Sequence, residues 1–336
     1  MKIALCSYHN PNFINTNIYR EKALKELGHE LIIVDDRQYV LPGRVRQRFE
    51  CMQKWDLQRM NDGFVKEAKK IKPDIWMVIG GQSMLATTVK KIKELGVRVV
   101  LWTTDIPIDF DIVKEAAPFY DHIFCAGSEA IEVLKNEVTL KDLRLIPFGC
   151  DPDYHKPVQL TPEEVLKYQR DIVFVGSFYP NRAKILESLA NFNIGIWGPY
   201  WNKVGDHSPL RTKIMEGKFN YDEWVKIYSA AKIVLIIHYQ DGIVPSYQIT
   251  PKLFEAMACG SFVLVDNQKD VKALFAGKSY LDFFENTNDL KEKIQYYLEH
   301  EDRRKKMAKE GRQDVIERHT FKNRIARMIK IIQEKE

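Results

Sequence analysis

The feature that most restricts this chain is a repeated alternation. Short apolar runs are each followed by a polar loop and then by a stretch with apolar residues at helical spacing. The runs at 2–6 (KIALC), 31–36 (LIIVDD), 74–81 (DIWMVIGG), 97–102 (VRVVLW), 122–127 (HIFCAG) and 143–149 (LRLIPFG) form one series. Those at 171–177 (DIVFVGS), 193–198 (NIGIWG), 232–237 (KIVLII) and 261–266 (SFVLVD) form a second. A strand that is apolar on both faces needs cover on both faces. Strands alternating with helices therefore predict parallel sheets sandwiched between helices, an α/β chain of two doubly wound domains. Between the series, DPDYHKPVQLTPEE carries three prolines and no apolar period, which predicts a linker. The expected division is a first domain over 1–150, a linker over 151–169, a second domain over 170–318, and a C-terminal helix over 319–336 packing back on the first domain.

Composition narrows the class of partner. The 336 residues are 45% hydrophobic and 29% charged, which excludes disordered and low-complexity chains. The net charge of +5 is spread along the chain. That argues against nucleic acid and leaves anionic small molecules open. Cys6, Cys51, Cys125, Cys150 and Cys259 are odd in number and far apart, as reduced thiols of a cytoplasmic protein would be. No Cys/His cluster points to a metal. No apolar run approaches the roughly 18 residues of a spanning helix, and the N-terminal run is too short for a signal peptide.

Ligands of open α/β sheets bind at the carboxyl ends of strands. The loops expected there hold glycine, hydroxyl, amide and aromatic residues, with a few charges, and suit a polar ligand bearing phosphate groups. The most informative stretch is 249–266, ITPKLFEAMACGSFVLVD. Thr250 and Pro251 are a helix start, and Gly260 is a stop. Lys252 and Glu255 then share the face opposite the apolar one. They form either a solvated i,i+3 pair or, with the helix N-terminal amides, an anion site beside a carboxylate for sugar hydroxyls.

That stretch, with 170–182 (RDIVFVGSFYPNR) and 298–325, resembles the second domain of the GT-B glycosyltransferases. Within that group the chain is most similar to the spore-maturation-protein-like glycosyltransferases. Segments 72–81, 99–107, 120–134 and 146–157 match the first domain of the same family in the same order. The resemblance implies two Rossmann-like domains facing a central cleft, acceptor on the first and nucleotide-sugar donor on the second. It also implies metal-independent transfer, with retention, from a nucleoside diphosphate sugar, a UDP-sugar being favoured. The acceptor hydroxyl is left open among a glycan, a lipid-linked glycan, a protein and a small molecule.

The resemblance assigns Glu255 to the ribose hydroxyls. Relatives carry a second glutamate eight positions earlier, where this chain has Tyr247, and usually arginine where Lys252 stands. Arg182 and the Gly176-Ser177 turn are the remaining candidates for the donor pyrophosphate. In the first domain Asp105, after an apolar strand, is expected to orient the acceptor hydroxyl, to act as a base, or to cap a helix near Ile108. His9 in the first loop is placed similarly. His238 is either a cleft residue or a satisfied core histidine. Asp109-Phe110-Asp111 reads as a helix start carrying carboxylates. The basic runs at 303–309 and 44–60 read as a solvated face and as an acceptor-facing or membrane-facing helix, respectively; peripheral membrane contact is left open. A competing reading, kept by Tyr247 and Lys252, is a catalytically weak relative serving as a binding or assembly subunit. A dinucleotide-dependent oxidoreductase is disfavoured because no GxGxxG follows a strand.

Overall fold

A computed structural model of the chain describes residues 1–8, 15–108, 110–139, 143–215, 221–240, 242 and 244–334. It divides into two compact units, Met1–Pro147 with Arg324–Glu336, and Phe148–Asn323. In the first, the described strands are β1 (Lys2–Cys6), β2 (Glu30–Val34), β3 (Ile75–Ile79), β4 (Arg98–Thr103), β5 (His122–Cys125) and β6 (Leu143–Leu145). They form one sheet in the order β2-β1-β3-β4-β5-β6, with every pairing parallel. In the second unit, β7 (Ile172–Val175), β8 (Ile194–Trp197), β9 (Ile233–Ile236), β10 (Val263–Asp266) and β11 (Asp282–Phe284) give the order β11-β10-β9-β7-β8, again parallel. β3, β7, β8, β9 and β10 are buried along their whole length, as a sheet covered on both faces requires. In each sheet the winding reverses at one place, between β1 and β3 and between β7 and β9. A ligand crevice is expected outside those strand ends.

The basic run at 44–60, read as one helix, falls on two, Gly43–Arg48 and Glu50–Ile71, broken at Phe49 in extended conformation. Buried Asp56 makes the break: its carboxylate accepts the Val40 and Leu41 backbone N–H groups at 3.1 and 2.9 Å and folds the incoming chain onto the second helix. Residues 151–169 fall within the second unit and are not bare connection. Asp151 and His155 are buried, and a capped helix runs over Pro162–Tyr168. At the other end, Arg324–Glu336 is part of the first unit, where Arg98 Nη1 donates to Ile332 O at 2.7 Å. Among the described residues no helix is long and apolar enough to cross a membrane.

Helix Pro251–Ala258 lies in the second unit against helix Glu301–Arg318. They approach closely at Gly311, where an added Cβ would stand 2.9 Å from Met257 Cε. Arg312 Nε also donates to Ala258 O at 3.0 Å, satisfying a carbonyl at the end of the shorter helix.

A second close approach joins the ends of β7 and β8. Gly198 has φ +141°, and a Cβ there would lie 2.0 Å from Gly176 O. Gly198→Ala should therefore combine backbone strain with a steric collision at the strand end. Urea unfolding is expected to show a loss of about 2–4 kcal/mol; a change below about 0.5 kcal/mol would show that the approach can relax.

Candidate functional site

At the β7 end, Gly176 is committed to the fold. Its N–H donates to Trp197 O, and its carbonyl accepts Trp201 Nε1, both at 2.8 Å. The Gly176 N–H is thus already used within the fold. Ser177 differs, because its N–H and hydroxyl have no partner among the described residues. Its carbonyl accepts Arg182 Nη1 at 3.1 Å, while Arg182 Nε donates to Ile237 O at 3.0 Å. Arg182 thereby spans the β7 and β9 loops and keeps Nη2 without a hydrogen bond among the described residues. Burial pushes its guanidinium pKa down, with Tyr179 and Asp266 opposing. Beside it, Asn181 Oδ1 is buried with no hydrogen-bond partner among the described residues.

Just beyond β9, His238 is buried with both ring nitrogens engaged. Nδ1 faces Asp266 Oδ1 at 2.5 Å, and Nε2 accepts the Thr250 backbone N–H at 3.2 Å. An acceptor role at Nε2 assigns the proton to Nδ1. The His238 backbone N–H reaches the other Asp266 oxygen at 2.9 Å. His238 is thus the satisfied core histidine of the two alternatives, and through Thr250 it fixes the start of helix Pro251–Ala258.

Thr250 is the N-cap in extended conformation, but its hydroxyl caps nothing. The first-turn amide of Lys252 is left without a partner among the described residues. Lys252 Nζ lies 5.0 Å over the Trp224 ring. Burial pushes the ammonium pKa down, Glu255 pulls it up, and Arg182 lowers it further. The structure thus brings Arg182, Lys252 and Glu255 within electrostatic reach of one another. Glu255 is 5% exposed and makes no hydrogen bond with its carboxylate among the described residues. His155 Nε2 lies 3.9 Å from Glu255 Oε1. His155 Nδ1 accepts Asp151 N–H at 3.0 Å, so its Nε2 carries a proton facing Glu255. His155 and Trp224 carried no signal in the sequence, one standing in the proline-rich stretch and the other in an amphipathic helix.

Tyr247 lies apart from that trio in its contacts. Lys269 Nζ sits 4.6 Å over its ring, and the two line a pocket of about 420 Å³ with Gln240, Ser246, Asn267 and Gln268. Gln268 Nε2 holds the wall of this pocket by donating to Gln248 O at 3.1 Å.

In the first unit, His9 and Asp109 lie outside the described residues. Asp105 follows β4, and a Cβ on Gly80 would stand 3.1 Å from its Oδ2. It does not cap the next helix, which starts at Asp111 with Phe110 at the N-cap. Asp105 keeps solvent access, yet the protein around it desolvates the carboxyl enough to raise its pKa against Arg20 and Arg37. Arg20 is buried over the Trp102 ring at 4.7 Å, and desolvation pushes it down to about 9, with Asp105 opposing. Asp36, past the end of β2, is a residue that the sequence reading missed. It is 8% exposed, and its Oδ1 has no hydrogen-bond partner among the described residues. Among the described residues no group of three His, Cys, Asp or Glu side chains is placed to hold a metal ion.

Burial raises the Asp36 pKa from 3.8 to about 6, with Arg37 opposing and Asp35 and Asp105 reinforcing. An acid raised in the folded state leaves stability unaffected at low pH, where both states hold the proton. As pH climbs from about 4 to about 6 the unfolded chain ionises first, so stability falls and stays lower above that window. Asp36→Asn should remove this fall and gain about 1–3 kcal/mol at pH 7, with little change at pH 4. Urea unfolding across that window is the check; equal pH dependence in both proteins would remove Asp36 as its source.

Comparison with known proteins agrees with this architecture. Residues 182–330 match the family described as Glycosyl transferase-like. The chain is 21% identical over 263 residues to the spore protein CgeB of Bacillus subtilis, covering 74% of this chain and 80% of that protein. Among solved structures it is similar to a sucrose-phosphate synthase from Thermosynechococcus elongatus, with TM-score 0.71, 15% identity, and coverage of 99% of this chain and 98% of the other. It is also similar to Anabaena HepE in complex with UDP-glucose, with TM-score 0.68, 13% identity, and full coverage of both chains.

Proposed function

From a chain that is a glycosyltransferase of the GT-B type, we propose a more specific activity: transfer of a sugar from a nucleoside diphosphate sugar to an acceptor hydroxyl, without a metal ion and with retention. The observation that carries this reading is the convergence of Arg182 and Lys252 beside a helix start whose Lys252 amide is unpaired. Two cations and an N-terminal dipole are what a leaving diphosphate requires as its charge develops, and together they take the part a divalent ion would play. Ser177, through its N–H and hydroxyl, adds donors at the same loop. Thr250 presents its unused hydroxyl at the helix start. Glu255 accepts the ribose hydroxyls, with the His155 Nε2 proton facing the carboxylate at 3.9 Å. Tyr247 and the pocket beside it take the sugar. The complex of Anabaena HepE with UDP-glucose supports a UDP-sugar as donor. Resemblance to the large retaining group of GT-B enzymes supports retention. On the first unit, Asp105 and His9 are the groups for orienting the acceptor hydroxyl.

Calorimetric titration with UDP in the presence of chelator tests the metal-independent reading directly. The affinity should be nearly unchanged; a strict Mg²⁺ or Mn²⁺ requirement counts against it. Lys252→Ala should weaken UDP by roughly tenfold to a hundredfold, the equivalent of about 1.5–3 kcal/mol, while affecting uridine far less. An equal loss for both ligands would remove Lys252 from the phosphate site.

For Glu255 the comparison is UDP against 2′-deoxy-UDP. Wild type should prefer the ribose form, and Glu255→Gln should bind UDP tens of fold more weakly and discriminate less, as expected for charged hydrogen bonds lost in a partly desolvated site. Unchanged discrimination would make Glu255 a structural residue of the helix.

A further inference from the structure

Helix Gly43–Arg48 buries none of its residues, and the opening of helix Glu50–Ile71 is exposed as well. Met52 and Trp55, three apart, are neighbours on the surface of helix Glu50–Ile71, and Phe49 stands at its N-cap. Phe49, Met52 and Trp55 are 46%, 40% and 56% exposed, and nearby Val40 is 58% exposed. Scattered apolar residues on a surface need no explanation, but three large exposed ones within residues 49–55 are gathered closely enough to mark an interaction site.

The charges around them are distinctive. Arg44 and Arg48 are exposed and make no ion pair among the described residues. Arg46 is used internally, 3.7 Å over the Tyr39 ring and donating to Leu41 O. The other basic run, 303–309, behaves differently. Lys305 pairs with Glu301, Lys306 with Glu310, and Arg304 turns inward to the Tyr297 carbonyl. That run is a solvated helix face, whereas the run at 44–55, although Lys54 pairs with Glu50 and Arg48 lies 5.8 Å over the Phe49 ring, keeps two guanidinium groups without an ion pair among the described residues beside exposed aromatic and thioether side chains.

Asp56 makes the surface rigid. Its buried carboxylate holds Val40 and Leu41 by their amides, is reached by Arg59 Nε at 3.2 Å, and lies 3.9 Å from Arg46 Nε of the first helix, so the chain on both sides of Gly43 is tied to the second helix.

We propose that this surface docks the protein on an anionic phospholipid bilayer, with Phe49, Met52 and Trp55 entering the headgroup boundary and Arg44 and Arg48 meeting lipid phosphates. Guanidinium groups without a carboxylate partner among the described residues, bordering exposed aromatic residues, are the complement of an anionic interface. The proposal is independent of the donor chemistry above.

Cosedimentation of the full chain tests it, with vesicles of equal parts phosphatidylcholine and phosphatidylglycerol set against vesicles of phosphatidylcholine alone. Binding is expected to the anionic vesicles, to weaken with salt, and to be much lower on the neutral ones. Phe49→Ser with Trp55→Ser, and separately Arg44→Glu with Arg48→Glu, should each lower the partition coefficient by about tenfold or more. Lys305→Glu with Lys306→Glu should change it less than about twofold. Unfolding midpoints verify that each variant folds, and single Trp55→Ser or Arg44→Glu substitutions replace any double that does not. Absence of binding to anionic vesicles overturns the proposal, as does binding that survives both sets of substitutions. Binding to soluble polyglutamate but not to vesicles overturns it as well, in favour of an acidic protein partner.

Discussion

The buried contact among Asp266, His238 and the Thr250 amide is the constraint on which the rest of the second unit's site depends. It ties the ends of β9 and β10 to the first residue of helix Pro251–Ala258. The Asp266 carboxylate accepts both the ring and the backbone N–H of His238, so the imidazole has one tautomer and one orientation. With that orientation Nε2 has only an acceptor to offer, and the helix start is held there. Lys252 and Glu255, two and five residues later on a rigid helix, inherit their positions from this contact.

Such a helix start is a poor place to leave charge unless a counter-charge arrives. Lys252 and Arg182 both have their pKa values pushed down by burial, and each repels the other. Arg182 is meanwhile engaged with the carbonyls of Ser177 and Ile237, so it cannot swing away without leaving two acceptors unpaired. The resting site therefore holds positive charge at a cost that an incoming diphosphate would relieve. Glu255 compensates in part, since its carboxylate raises the Lys252 pKa. Its carboxylate stands 3.9 Å from His155 Nε2, too far for a hydrogen bond.

Glycines set the distances at which this can happen. Gly176 and Gly198 let the ends of β7 and β8 meet with a carbonyl against a Cα, and Trp201 closes the contact by donating to Gly176 O. Gly176 thus serves the fold, and the donors without a partner among the described residues at this turn are those of Ser177. On the opposite side of the helix, Gly311 lets helix Glu301–Arg318 approach closely enough for Arg312 to satisfy Ala258 O.

The sequence by itself determined the strands, their parallel arrangement, the helix beginning at Pro251, and the sharing of one helix face by Lys252 and Glu255. All of these follow from local causes: apolar runs that need cover on both sides, a threonine-proline start, and a spacing of three. Tertiary structure decided what those residues meet. His155 and Glu255 are a hundred positions apart, and only the turn Asp151–His155, read from its prolines as connection, brings the imidazole to the carboxylate. Whether His238 was core or cleft depended on Asp266 and Thr250 arriving at its two nitrogens, and no property of KIVLIIH specifies that. Asp36 looked like the end of a strand, and its raised pKa comes from burial by segments distant in sequence. Even the break at Phe49 was invisible in a basic, aromatic helical pattern, because the carboxylate that makes it acts on amides fifteen and sixteen residues earlier. Periodicity and capping are written in neighbouring residues, whereas desolvation and hydrogen-bond partners are properties of which distant segments pack together.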